Sequence, residues 1–227
     1  SDDDFSRIFV LNGFAGTGKT TLIAALVAAL KELRIKPVLL APTGRAAKVL
    51  ARYCGEQALT IHKRIYRQRT NADYESKFSL DFNREQGAVF IVDEASMLSD
   101  STGDGALFGS GSLLEDLVSY VRSGRGCRLI LVGDSAQLPP VGCDFSPALD
   151  PATVSRYGEV VYGLMDEVVR QQMQSGILFN ATLVRCMLEN RIYEIPKFEM
   201  DYPDFESVEG GDFMEKLQDA FDRYGRD

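Results

Sequence analysis

Gly13-Phe14-Ala15-Gly16-Thr17-Gly18-Lys19-Thr20 is the stretch on which the reading of this chain turns. It satisfies G-x-x-x-x-G-K-[ST], the phosphate-cradling P-loop pattern. Ile8-Phe9-Val10-Leu11 precedes it, an apolar run of buried-strand length. Thr21-Leu22-Ile23-Ala24-Ala25-Leu26-Val27-Ala28-Ala29-Leu30 follows, rich in helix formers. Strand, glycine-rich loop and helix therefore come in the order that phosphate binding requires. Glycines let successive backbone N–H groups face an anion, and the helix start adds partial positive charge. The nucleotide-binding residues expected here are Gly13, Ala15, Gly16, Thr17, Gly18, Lys19, Thr20 and Thr21. Lys19 would reach the β- and γ-phosphates, and the Thr20 hydroxyl would ligate Mg²⁺.

Outward from the loop, the chain has 227 residues, of which 45% are hydrophobic, enough for one large domain or one domain and part of another. No apolar run approaches the roughly 20 residues of a membrane span, so no membrane association is expected. Asp2-Asp3-Asp4 stands where a secretory signal would carry a basic start, and with no initiator Met, Ser1 reads as a processing or truncation boundary. Cys54, Cys127, Cys143 and Cys186 are scattered without a C-x-x-C. That pattern fits a reducing cytoplasm, with neither zinc nor a disulfide framework. The net charge of −8 argues against nucleic acid until its distribution is followed. Lys31 to Arg69 holds ten Lys/Arg against two acids, whereas Arg191 to Asp227 holds five against eleven. The basic segment has two readings: a localised phosphate-binding surface, or ordinary solvated helix faces with cations favouring a helix C-terminus.

Strand and helix patterns alternate along the chain. Strands are expected at Arg7–Leu11, Pro37–Ala41, Ala88–Val92, Arg128–Val132 and, more weakly, Glu159–Tyr162. Helices are expected from the P-loop to Leu33, then at Arg45–Tyr53, Ala58–Ile65, Leu113–Val121, Ile177–Asn190 and Asp212–Tyr224. Tyr66–Gly87 breaks the alternation and reads as an inserted hairpin, a small subdomain or a loop. Ser99–Ser112 is Gly/Ser-rich, and Tyr193–Gly211 is acidic and irregular. The alternation predicts an α/β fold, a doubly wound and mostly parallel sheet of P-loop NTPase type, with ligands at the carboxyl ends of the strands.

The remaining chemistry-bearing residues fall at such ends. Asp93-Glu94 closes an apolar strand, as a magnesium-holding acid does in P-loop enzymes. Asp93 would hold the ion, and Glu94 would orient or deprotonate the attacking water. Gly133-Asp134-Ser135-Ala136-Gln137-Leu138-Pro139-Pro140-Val141-Gly142 places Gln137 where it could sense a γ-phosphate or its water, with two prolines stiffening the loop. A plain proline-rich turn is the alternative. Thr43, Arg45 and Lys48 open a helix after Pro42, and Thr60, His62 and Lys63 follow inside the same basic segment. A hydroxyl and free N–H groups at a helix start suit a nucleic-acid phosphate. His62, the one histidine, reads as a packed polar residue rather than a catalyst. Arg170 follows Asp166-Glu167 and is either a phosphoryl-stabilising arginine or a partner in a local salt bridge.

Taken in order, GFAGTGKT, APTGRAAKVL, TIHK, VDEAS, GDSAQLPPVG and EVVRQ resemble the motif series of superfamily 1 helicases, in the RecD-like branch that translocates 5′ to 3′ on single-stranded DNA. The resemblance runs from Ile8 to Gln172. It implies ATP as the nucleotide and Mg²⁺ as its ion, with Asp93 and Glu94 as the magnesium and water-activating acids and Gln137 as the γ-phosphate sensor. It also implies that Arg170 is an arginine finger at the start of a second RecA-like domain. Thr43, Thr60 and His62 fall in segments that resemble DNA-contacting motifs, and the 66–87 insertion sits where the family carries a strand-separating hairpin.

The adenine-reading glutamine segment of the family does not precede this P-loop, the first glutamine being Gln57, and nothing after Arg170 resembles the later motifs. The chain thus reads as a first RecA-like domain over 1–165 followed by a linker and the beginning of a second over 166–227, a piece of a longer helicase. The partner implied is single-stranded DNA, with RNA not distinguished. A RecD-like subunit working beside nuclease subunits, a P-loop kinase and a nucleotide-gated interaction module are the other readings. Oligomeric state is not legible.

Overall fold

A computed structural model of the chain describes residues 7–70, 76–100, 108–167, 175–204 and 207–224. These fall into two compact units, Ser1–Val168 and Val169–Asp227. The first is built on a six-stranded sheet in the order β3-β2-β6-β7-β1-β8. Its strands are β1 (Ile8–Gly13), β2 (Pro37–Ala41), β3 (Ala58–Thr60), β6 (Val89–Val92), β7 (Arg128–Gly133) and β8 (Val160–Met165), and every neighbouring pair is parallel.

β6 shows why the sheet must be covered on both sides. All four of its residues, Val-Phe-Ile-Val, are buried. Because side chains alternate across a strand, Val89 and Ile91 join one core while Phe90 and Val92 join the other. The first core is closed by α1 (Lys19–Glu32), through Ile23, Val27 and Leu30, and by Leu50 of α2 (Gly44–Cys54). The second is closed by α3 (Ile61–Ile65), by α4 (Leu113–Ser123), and by the turn at Pro147–Leu149 with α5 (Pro151–Val154). The sheet is doubly wound, as the alternation predicts. The helix leaving β1 lies on one face and the segment leaving β7 on the other. These two strands are adjacent, so a crevice opens at their carboxyl ends.

Two stretches differ from the expectation. Ala58–Ile65 is not one helix. Ala58–Thr60 pairs with Leu39–Ala41 as the edge strand β3, and the helix begins only at Ile61. The cause is Thr60, whose hydroxyl accepts the Lys63 N–H and so fixes the helix start there. The 66–87 insertion, left open by its pattern, contains an antiparallel hairpin of β4 (Tyr66–Thr70) and β5 (Ser76–Leu80). Its base is packed: Phe78 stacks on Phe108 at 4.6 Å, and the Tyr66 hydroxyl donates to buried Asp116 at 2.6 Å. Burial, the largest cause, and that bond push the Tyr66 hydroxyl well above its usual range.

The second unit contains α6 (Gly176–Glu189) and α7 (Phe213–Tyr224). Ser175 caps α6, accepting the Leu178 N–H, and Asp204 in turn accepts from the Ser175 hydroxyl and the Gly176 N–H. Buried Asn180 exchanges hydrogen bonds with the Glu199 backbone, which fixes the returning chain against the helix.

Candidate active site

The phosphate loop turns on two left-handed glycines, Gly16 (φ 77°) and Gly18 (φ 89°). Gly18 stands at the N-cap of α1 without a side-chain cap, and the first turn holds no acid. The leading N–H groups of α1 therefore present positive charge toward the crevice. Thr17 is buried, and its hydroxyl donates to the Phe14 carbonyl at 2.8 Å. Lys19 folds along the loop, donating from Nζ to the carbonyls of Gly13 (2.6 Å) and Phe14 (3.1 Å). A Cβ on Gly13 would meet Lys19 Cγ at 2.9 Å, so only glycine lets the lysine lie so close. Ala15, Thr20 and Thr21 complete the loop and the first turn of the helix, Ala15 and Thr21 being exposed.

Two strand ends bring acids to that lysine. Asp134, after β7, is buried and stands 3.9 Å from Lys19 Nζ. Asp93, after β6, is also buried. Burial pushes its carboxyl up. The Glu94 N–H, bonded to Asp93 Oδ1 at 3.0 Å, pulls it down, the Glu94 charge raises it, and Lys19 lowers it. Glu94 is one of three described non-glycine residues with positive φ, at 55°. Left-handed backbone at a glutamate costs about 1–2 kcal/mol, and it is held by the helical turn Ala95–Met97, in which Ala95 and Ser96 are buried.

Ser96 links the acids to the loop after β7. Its hydroxyl donates to Gln137 Oε1 at 3.1 Å. That bond turns the Gln137 amide so that its NH₂ group faces away from Ser96, free to donate elsewhere. Gly133 makes the approach possible, because a Cβ there would meet the Ser96 backbone nitrogen at 2.9 Å. The residues foreseen as Lys19, Asp93, Glu94 and Gln137 thus converge. Three participants went unforeseen: Asp134, Ser96 and Asn12. Asp134 carries the same signal as Asp93, an acid just past an apolar strand. Ser96 and Asn12 carry none that a local pattern could reveal.

The foreseen nucleic-acid contacts lie along the β2–β3 side of the same sheet edge. Ala41 pairs with Thr60, so Thr43 and Thr60 stand at neighbouring strand ends. Each caps a helix, Thr43 accepting the Ala46 N–H and Thr60 the Lys63 N–H. Arg45, Lys48 and Lys63 are exposed, while Ala47 and Leu50 hold α2 to the sheet. His62 lies against Phe108 (ring centroids 5.1 Å apart) and Tyr66 (5.6 Å). Arg170 lies outside the described residues.

Burial lowers the His62 imidazole below its ordinary value near 6.5. The folded chain therefore binds that proton less readily than the unfolded chain. The stability this packing contributes is complete above about pH 6.5 and is lost as the pH falls below it. The melting temperature is expected to drop between pH 7 and pH 5.5, and His62→Phe is expected to flatten that drop. Equal slopes in the two proteins would place the acid sensitivity elsewhere.

The donor set suits a hard cation. Among the described residues no group of three or more His, Cys, Asp or Glu side chains could hold a metal alone. One or two carboxylates and a hydroxyl beside a phosphate cradle are what Mg²⁺ needs, since it keeps several waters and takes phosphate oxygens. A buried carboxylate with a raised affinity for protons gains from such a cation.

The AAA domain family matches residues 4–181. The chain is similar to the ATP-dependent RecD2 DNA helicase of Deinococcus radiodurans, 33% identical over 135 residues that cover 60% of this chain and 16% of that protein. It is 33% identical to the RecBCD enzyme subunit RecD of Mycobacterium tuberculosis over 201 residues, 72% of this chain and 32% of that one. It is 34% identical to the ATP-dependent DNA helicase dda of Enterobacteria phage T4 over 136 residues, 58% of this chain and 28% of that one. It thus spans a third or less of each of these relatives. Among solved structures, the Pif1 helicase from Candida albicans shares the fold with a TM-score of 0.50 at 20% identity, over 85% of this chain and 42% of that chain.

Proposed function

This chain belongs to the AAA domain family, and we propose that it is the ATP-binding motor domain of a RecD-like superfamily 1 DNA helicase. The observation that carries this is the meeting of the P-loop lysine with carboxylates from two other strands. Lys19 stands 3.9 Å from Asp134 and acts electrostatically on Asp93. Lys19 and the α1 N-terminus bind the β- and γ-phosphates of ATP. The Thr20 hydroxyl and the Asp93 carboxylate hold Mg²⁺, which supplies charge neutralisation on the phosphate oxygens when bound. Glu94 orients the attacking water and takes its proton. Gln137 donates from its amide to the γ-phosphate or that water. Arg170 acts as the arginine finger of a following RecA-like domain.

Thr43, Arg45, Lys48, Thr60, His62 and Lys63 form the single-stranded nucleic-acid track, with the two capped helix starts and the cations meeting phosphates. His62 contributes there as a neutral ring. The packed base of the β4–β5 hairpin suits a strand-separating wedge. All four cysteines are free, which fits a reducing cytoplasm. The similarity to RecD also supports a second reading, a subunit working beside nuclease chains, and co-purification of a nuclease partner would favour it.

The test is ATP hydrolysis by the full-length parent protein, with and without single-stranded DNA and with Arg170→Ala as the control, the stretch 1–227 by itself being expected to hydrolyse ATP poorly. Strong stimulation that vanishes in the variant is the expected result. An arginine of this kind is worth about 10³–10⁵ in kcat in related phosphoryl-transfer enzymes. Hydrolysis indifferent to nucleic acid would overturn the motor and leave a nucleotide switch or a kinase.

A further inference from the structure

Asn12, the residue before the P-loop, is buried at 5% exposure on β1, which lies between β7 and the edge strand β8. Its side chain reaches both neighbouring strands. Nδ2 donates to Ser135 Oγ at 2.8 Å and to the Tyr162 hydroxyl at 3.0 Å, while Oδ1 accepts the Ser135 N–H at 3.0 Å. Both amide hydrogens are used, and the accepted N–H settles which way the amide points. The register explains why these three meet. Asn12 pairs with Gly133, two residues before Ser135, and Tyr162 pairs with Val10, two residues before Asn12. With a period of two, all three side chains project to one face at the carboxyl edge. Two residues further on, the Phe14 N–H donates to the Met165 carbonyl at 3.2 Å, tying the phosphate loop itself to the end of β8.

We propose that Asn12 is a positioning residue: it holds the Ser135–Gln137 loop against the strand that carries the P-loop, and through Tyr162 it couples that loop to β8. This inference rests on the ATP-hydrolysing reading of the site. Gln137 is clasped from one side by Ser96 and is two residues from the Asn12 clasp on the other. Its amide is therefore held by Ser96 and the backbone leading to it by Asn12 at Ser135, while the exposed tip at Leu138 and Val141 carries no such tie among the contacts described. The loop after β7 and the strand β8 are thus tied to each other through one buried amide.

The test is steady-state ATP hydrolysis at saturating single-stranded DNA, comparing the unmodified full-length parent protein with its Asn12→Ala, Ser135→Ala and double variants. Ser135 is exposed, so removal of its hydroxyl leaves the core untouched. One or two positioning hydrogen bonds are worth a factor of about 10 in rate. The expected result is a kcat about 10-fold lower for Asn12→Ala and about 3-fold lower for Ser135→Ala. KM should stay within about twofold, and the double variant should be no worse than Asn12→Ala. The chain has no tryptophan, so Leu138→Trp supplies a unique fluorescence reporter on the loop. Its response to Mg–ATP is expected to be lost in the Asn12→Ala background although nucleotide still binds. Unchanged kcat with only a lowered melting temperature would overturn the inference and leave Asn12 a structural residue. A raised KM at constant kcat would also overturn it, making Asn12 a nucleotide contact. Lys19→Ala separates the two levels. If it leaves hydrolysis unchanged, the nucleotide reading itself has failed; if it abolishes hydrolysis while Asn12→Ala does nothing, only the positioning role has.

Discussion

Lys19→Ala is expected to remove Mg–ATP binding from the range that calorimetry detects. The ammonium is the one side-chain cation that the P-loop places in the crevice, and charge-assisted bonds to phosphate contribute about 1.5–3 kcal/mol each. Two of them correspond to an affinity loss of at least about 100-fold. The fold should survive. Asp134, the buried acid beside the lysine, keeps its bond from the Ala136 N–H at 2.9 Å. The Gly13 and Phe14 carbonyls that Lys19 now touches remain at the edge of an open loop. A melting temperature near that of the unmodified chain, with binding lost, is the predicted pair of results. Unchanged binding would remove the basis for reading Gly13–Thr20 as a nucleotide cradle.

Glu94→Gln is expected to separate binding from hydrolysis. The amide keeps the size of the side chain and leaves the backbone bond to Asp93 in place, but it cannot take a proton from water. General-base catalysis contributes about 10²–10⁴ in rate, so kcat should fall by that factor while Mg–ATP affinity stays. The backbone adds a second test. Glu94 sits at φ 55°, ψ 37°, a conformation glycine adopts freely. Glu94→Gly should therefore be inactive yet no less stable, its melting temperature rising by about 2 °C if about 1 kcal/mol of strain is relieved after the extra freedom of the unfolded glycine is subtracted. A chain that loses stability on this change would show that the glutamate side chain holds the turn, rather than the turn holding the glutamate.

The fold class was legible because its signals are local. Val89–Val92 can only be a strand buried on both faces, and Ile23, Val27 and Leu30 recur at helical spacing on one side of α1. Edges were less legible. Ala58–Thr60 is short and carries no alternation, and its pairing with β2, not any propensity of its own, makes it a strand. The hairpin at 66–80 was ambiguous for a related reason: its stability comes from Tyr66 on Asp116 and Phe78 on Phe108, partners 50 and 30 positions away.

The same division runs through the site. Sequence alone determined the phosphate loop, the acids after β6 and the glutamine after β7, because each is a residue type at a fixed offset from one strand's end. The order in which those strands lie in the sheet was decided only in three dimensions, and everything cooperative follows from that order. β1 lies between β7 and β8, so Asn12 meets Ser135 and Tyr162, 123 and 150 positions away. β6 lies beside β7, and Gly133 has no side chain, so Ser96 reaches Gln137. A hydrogen bond needs its partners within about 3 Å and aligned, and no local pattern encodes which strand will be the neighbour. That is set by how the helices on both faces bury the most apolar surface together.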